Sequence, residues 1–184
     1  MADFYPYLIA SLPMLHFGMK PPLSFERLIE VCLPFMPEKD FQVLRSLPGP
    51  EQYSEKEKYH RIVQKWIEFD GALRNELVRI RATQKQIEPV TYLRPNLENS
   101  SSFNPALMAV NMATTMIDTE KTLDETRWKA LEDLASGHFF DLYFLITYAL
   151  KLLILLRWEN IRRADGTILL EHVLQPETGI HEST

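Results

Sequence analysis

Residues 54–87 read SEKEKYHRIVQKWIEFDGALRNELVRIRATQKQI, and this stretch decides the fold. Tyr59, Ile62, Trp66, Phe69, Leu73, Ile80 and Ile87 recur at steps of three and four, with Glu76 breaking the row and Leu77 beside the gap. That spacing keeps one face of a helix apolar. Ser54-Glu55-Lys56-Glu57 forms a capping box in front of it, in which the hydroxyl and the carboxylate satisfy free amides of the first turn. The pattern predicts one helix from Ser54 to Ile87, about 50 Å long at the α-helical rise. Gly71 lies inside it; a glycine there costs about 1 kcal/mol relative to alanine, so close packing or a slight bend is expected. Pro89 and Pro95 end the pattern.

Working outward, the sequence predicts further helices on both sides. Ser24 opens one through about Leu33, its hydroxyl capping the first turn and Glu26 complementing the positive helix end. Phe25, Leu28, Ile29 and Cys32 form its inner face, and Pro34 ends it. Pro37-Glu38 begins another to about Leu47, with Phe41 and Leu44 inward. Before these, residues 1–23 carry four prolines in an irregular arrangement, and the apolar run Tyr7 to Leu12 suits either a strand or a buried helical turn. Met14 to Pro22 should be extended, because Pro21 and Pro22 disfavour helix in the residues before them.

Beyond the long helix, Leu97 to Phe103 reads as a loop. Asn104-Pro105 gives a cap and first turn for a helix that continues, or restarts at Asp118, through Trp128 and Leu131 to a stop at Gly137. Asp141 caps a strongly apolar helix that ends in Arg157, Arg162 and Arg163. Asp165-Gly166 reads as a turn and Thr167 to Leu174 as a short helix. The expectation is an all-α elongated bundle: three long segments (54–87, 105–136, 141–163), short flanking helices and an irregular proline-rich N-terminus. Residues 1–175 form one domain, and 176–184 a disordered tail.

Membrane insertion is not expected. Asp141 and Arg157 bracket only 15 residues, with Lys151 near their centre, whereas a span needs about 20 apolar residues. The segment reads instead as a helix buried on nearly all sides. A formal charge of −5 disfavours a nucleic-acid partner, which needs a concentrated basic surface. The single cysteine, Cys32, forbids an internal disulfide and sits among apolar residues as an inert thiol. The start of the chain has no basic region of the kind that opens a secretory signal.

Catalytic chemistry finds little support. Glu57 and His60 make a Glu-x-x-His pair, half of a di-iron bundle motif, but none of the other four histidines has a glutamate three positions earlier. A helical-bundle metal enzyme built on Glu57 and His60 is the alternative to a non-catalytic role; a generic helical scaffold is another. No zinc-protease, Cys-x-x-Cys, nucleophile-elbow, P-loop or dinucleotide motif occurs. His138 can pair with the N-cap Asp141 without doing chemistry, and Glu132-Asp133 point about 100° apart, a poor geometry for shared acid–base work. No catalytic residue, metal ligand or cofactor site is therefore assigned. Arg74, Arg81 and Lys85, with Arg79 nearby, make the one basic stretch; a solvated face is the simple reading and an acidic protein partner the sharper one. Trp66, Phe69 and Trp158 read as core, or as docking anchors if exposed.

Two blocks carry a resemblance. Phe4-Tyr5-Pro6-Tyr7-Leu8-Ile9-Ala10-Ser11-Leu12-Pro13, followed by Phe17-Gly18-Met19-Lys20-Pro21-Pro22-Leu23-Ser24-Phe25, resembles an uncharacterised bacterial family. The genes of that family sit inside V/A-type ATPase operons, in the place expected for the motor's C-type subunit, an all-helical socket that seats the central shaft on the membrane ring. Gly137-His138-Phe139-Phe140-Asp141 through Ala149-Leu150-Lys151-Leu152 to Arg157-Trp158 is similar to the later part of that family. The resemblance implies a non-catalytic component, either socket-like or accessory, at the cytoplasmic face of the membrane. It would connect the motor's shaft with its membrane ring through protein contacts. Candidate contact residues are Met14, Phe17, Met19 and Lys20 of the proline-rich segment, though packing over helix ends explains the apolar ones equally well, together with Arg74, Arg81 and Lys85.

Overall fold

The computed structural model describes residues 4–94, 108, 110 and 115–174. Its elements are helical: α1 (Pro6–Ser11), α2 (Phe25–Cys32), α3 (Glu38–Arg45), α4 (Arg61–Lys85), α5 (Met116–Ala135) and α6 (Leu142–Leu174). Short 3₁₀ turns occur at Leu33–Phe35, Pro50–Lys58 and Val90–Tyr92. The fold is all-α, with three long helices of 25, 20 and 33 residues as its frame. The loop at 97–103, the cap at Asn104-Pro105 and the tail from Pro176 lie outside the described residues.

α6 is the axis of the core. Leu142, Leu145, Ile146, Tyr148, Ala149, Leu150, Leu152, Ile154 and Leu155 are buried along it, a nearly all-round apolar surface. α2 and α3 pack on it through Leu28, Cys32, Phe41 and Leu44, α4 through Ile62, Val63, Trp66 and Ile67, and α5 through Trp128 and Leu131. A smaller cluster of Ala72, Leu73, Leu77 and Leu123 continues the α4–α5 contact. Among the described residues no helix is long and apolar enough to cross a membrane. Lys151 stays half-buried by resting over the Trp128 ring, 5.0 Å from its centroid, and pairing with Glu132 at 3.5 Å.

The local signals explain most helix ends. Ser24 accepts the Arg27 amide at 3.2 Å, and Asp141 Oδ1 accepts the Phe144 amide at 3.1 Å. The run Tyr7 to Leu12 falls largely in helix α1, with Leu8 and Ile9 buried. Gly137 holds φ +82, the left-handed conformation that suits a glycine after a helix.

Two boundaries depart from expectation. The long helix starts at Arg61, not Ser54; Pro50–Lys58 forms 3₁₀ turns with a kink at Glu55. The break lets the Tyr53 hydroxyl donate to Asp70 Oδ2 at 3.0 Å. In one continuous helix residues 17 apart stand about 25 Å apart, so the chain breaks at Tyr59-His60 and folds back. His60 then caps α4, its Nδ1 accepting the Ile62 amide at 3.5 Å. At the other end Gln86 adopts φ 55, and the Ile87 amide reaches back to the Ala82 carbonyl at 3.0 Å. This Schellman stop leaves Ile87 exposed. The second departure is Asp165-Gly166, which is not a turn: α6 runs through it to Leu174. A glycine costs a helix about 1 kcal/mol, which cooperative helical turns on either side can carry.

Candidate functional site

The most polar feature of the interior spans the three long helices. Asp70, on α4, is 1% exposed although it lies in the apolar row Trp66, Asp70, Leu73, Leu77. Its carboxylate accepts Arg127 Nε of α5 at 2.6 Å, Arg74 Nε at 2.7 Å and the Tyr53 hydroxyl at 3.0 Å. Arg127 Nη1 continues to Asp124 Oδ1 at 2.7 Å. Asp124, also 1% exposed, accepts Arg157 Nη1 of α6 at 2.7 Å and Trp158 Nε1 at 2.9 Å. Arg157 Nη2 reaches Glu120 at 2.5 Å. α4, α5 and α6 are thus laced by one chain of charge-assisted hydrogen bonds.

The electrostatics follow from those contacts. Burial opposes ionisation of Asp70, but Arg127 and Arg74 outweigh it and hold the carboxyl below its usual range. Burial likewise works against the charge of Arg127, and Asp70 and Asp124 reverse that. The Tyr53 hydroxyl is pushed well up, first by burial and then by the Asp70 charge. A carboxylate held ionised this way is a poor general acid near neutrality. The network joins α4, α5 and α6 through paired charges.

Beside it opens a cleft of about 700 Å³. Its wall carries Arg74, Arg81, Arg94, Arg127 and Arg157 against Asp70, Glu120 and Asp124, five cations to three carboxylates. Arg94 is set there by its own backbone: Asn75 Nδ2 donates to the Arg94 carbonyl at 2.9 Å and the Arg94 amide donates to Asn75 Oδ1 at 2.8 Å. The guanidinium lies over Tyr53, 5.2 Å from the ring centroid.

The candidate contact residues fall in different places. Arg74 is half-buried and paired to Asp70, and Arg81 is exposed on the cleft. Lys85 is exposed in the last turn of α4 and does not line the cleft. Met14 is 76% exposed beside a smaller groove that also includes Leu12, Tyr148 and Lys151. Phe17 is half-buried, edge-on to Trp128 at 5.7 Å, and Met19 is half-buried with its sulfur accepting the His16 amide at 3.2 Å. Lys20 is exposed. Arg81 and Met14 therefore line different grooves.

Glu57 and His60 do not share an α-helical face, since Glu57 lies in the 3₁₀ segment and His60 is the non-helical cap of α4. Among the described residues no three His, Cys, Asp or Glu side chains stand together as metal ligands. His138 Nδ1 meets Asp141 Oδ2 at 2.5 Å while its ring stacks on Tyr143 at 4.3 Å. No family model matches this chain, and neither the curated proteins nor the solved structures contain a match to it.

Sequence reasoning missed Asp70, Asn75, Asp124, Arg127 and the inter-helix role of Arg157. A signal was there: a carboxylate interrupts the apolar row of α4, and an arginine sits between Leu123 and Leu131 on α5. A buried charge on each of two helices needs a partner, and each supplies the other's.

Proposed function

We propose that this chain is a non-catalytic connector of a V/A-type rotary ATPase, either a counterpart of its C-type socket or an accessory component. It is held at the cytoplasmic face of the membrane by contacts with the shaft and the membrane ring. One observation carries the reading: the two sequence blocks that resemble the V/A-operon family, remote in the chain, are neighbours in the fold. The Tyr5 amide donates to the Phe140 carbonyl at 2.6 Å, and the Tyr148 hydroxyl donates to the Pro13 carbonyl at 2.8 Å across 135 positions. Around that junction Phe4, Tyr7, Phe139 and Phe140 are exposed, at 71%, 86%, 67% and 48%. Grouped aromatic side chains left in water are the kind of surface that protein contacts cover. The arginine-saturated interior also favours a rigid spacer over an acid–base centre.

The test is a binding assay between the purified chain and the purified shaft proteins of the motor from the same source. The intact chain should bind, and a Phe139→Ser/Phe140→Ser variant that keeps its helical circular dichroism should bind at least about tenfold more weakly. Equal binding by the two proteins contradicts this surface; no binding by the intact chain to shaft or ring contradicts the connector role.

A further inference from the structure

We infer that the cleft between α4, α5 and α6 binds a small oxyanion ligand, one carrying a phosphate or a compact set of carboxylates, with Arg94 and Arg81 as its anchors. The inference stands on the cleft alone and does not depend on the connector reading. Three observations carry it.

The first is charge. A chain of formal charge −5 concentrates five arginines against three carboxylates on one concave wall. The three carboxylates are already consumed by Arg74, Arg127 and Arg157. That leaves two guanidinium groups over. The second is a buried donor without an acceptor. Arg94 Nη1 is shut off from solvent and has no hydrogen-bond partner, the single buried side-chain atom in that condition among the described residues. An unsatisfied buried donor costs stability, more so on a charged group, and a turn of the guanidinium into the cleft would bring that N–H to an oxyanion acceptor. Arg94 is also held from two sides, since Asn75 grips its backbone and Tyr53 its guanidinium face. The third is Arg81. It lines the same cleft, two turns along α4 from Arg74, and makes no ion pair among the described residues.

Guanidinium forks match phosphate and carboxylate oxygens in pairs, with geometry as well as charge. The cleft volume lies in the range that holds a small ligand. Leu77, Val78 and Leu153 supply apolar wall and Tyr92 a flat ring. A ligand with an anionic head and a flat or apolar body suits that lining. Because Asn75 holds the Arg94 backbone, changing the Arg94 side chain leaves those two hydrogen bonds intact.

The test is isothermal titration of the full chain with pyrophosphate, with citrate, and with a poly-glutamate peptide. Saturable binding of pyrophosphate or citrate at or below about 1 mM is expected. Preference between the two distinguishes a phosphate head from a polycarboxylate one. Arg94→Gln should weaken binding at least about tenfold, Arg94→Lys less, and Arg81→Gln severalfold, since a lysine keeps the charge without the fork. Lys65→Gln, an exposed change on α4 away from the cleft, should leave affinity unchanged. On the unaltered chain, the Arg94 Nε–H signal in a nitrogen–proton spectrum should move on pyrophosphate addition, a readout independent of any variant's folding. Absence of saturation by either small anion up to about 10 mM overturns the inference. So does binding that survives the Arg94→Gln/Arg81→Gln double change, or binding by poly-glutamate alone.

Discussion

Arg127 Nε donates to Asp70 Oδ1 at 2.6 Å across 57 positions of sequence, and both side chains are buried. This pair ties α4 to α5 where the apolar rows of both helices are interrupted. Removing Asp70 takes from Arg127 one of its two carboxylates and from Arg74 its carboxylate partner, a loss of up to roughly 3–5 kcal/mol. Asp70→Ala should lower stability by about that amount in urea denaturation. Asp70→Leu combined with Arg127→Leu should cost clearly less than the sum of the single changes, because their shared contact is lost only once and Asp124 keeps Arg157 and Trp158. Additive losses would show that the two residues are energetically independent.

Acid should weaken the same joint. Burial opposes the Asp70 charge, but Arg127 and Arg74 overcome it, so the folded carboxyl titrates below its unfolded value, which is about 3.9. A depressed folded value means that the unfolded chain binds more protons in the interval between the two. The stabilisation is therefore complete above about pH 5 and drains away as pH falls through 4 toward the folded value. Stability measured from pH 7 to pH 3 should fall steeply at the acid end, and Asp70→Asn should flatten that limb. An unchanged limb in the variant would assign acid sensitivity to other groups.

His60 should titrate in the opposite sense to a paired histidine. Its Nδ1 accepts the Ile62 amide, which requires an unprotonated nitrogen. Burial lowers its basicity, Lys39 reinforces the shift and Asp40 opposes it. The folded state therefore prefers the neutral ring, and the cap's contribution is full above about pH 6.5 and is lost as pH falls through the lowered folded value. A proton NMR titration should place the His60 midpoint below about 6.5. A midpoint above that would mean the ring is charged in the fold and cannot cap α4.

Cys32 should be silent. It is fully buried, and burial pushes its thiol up to about 11. Thiolate is the reactive form, so a thiol reagent should label Cys32 only as fast as the chain opens, and labelling should accelerate in urea. Rapid labelling of the native chain would contradict the packing of α2 on α6.

These features differ in how far the sequence exposes them. The caps at Ser24 and Asp141 and the apolar length of α6 depend on neighbours within a few residues, so their patterns are local and readable. Tyr53 is the opposite case. Its reach to Asp70 depends on tertiary burial 17 positions away, and the segment that carries it is 3₁₀, where local patterning favours an α-helical first turn. Gln86 likewise holds a left-handed position that the sequence would assign to glycine. The cleft was least legible, because its arginines come from α4, α6, α5 and the segment after α4, and only packing brings them to one wall. Arg74 and Arg81, visible as one basic stretch, are separated by function: the first neutralises Asp70, the second faces the cleft.

The proposed role of these helices is to hold other proteins in position. Its most direct test is affinity capture of the full chain, expressed at its natural level, from membranes dissolved in mild detergent, followed by mass spectrometry of everything retained. Shaft and membrane-ring proteins of a V/A-type ATPase should be recovered with it, in a fixed ratio and dependent on Phe139 and Phe140. Recovery of the chain without any part of that motor would rule that role out.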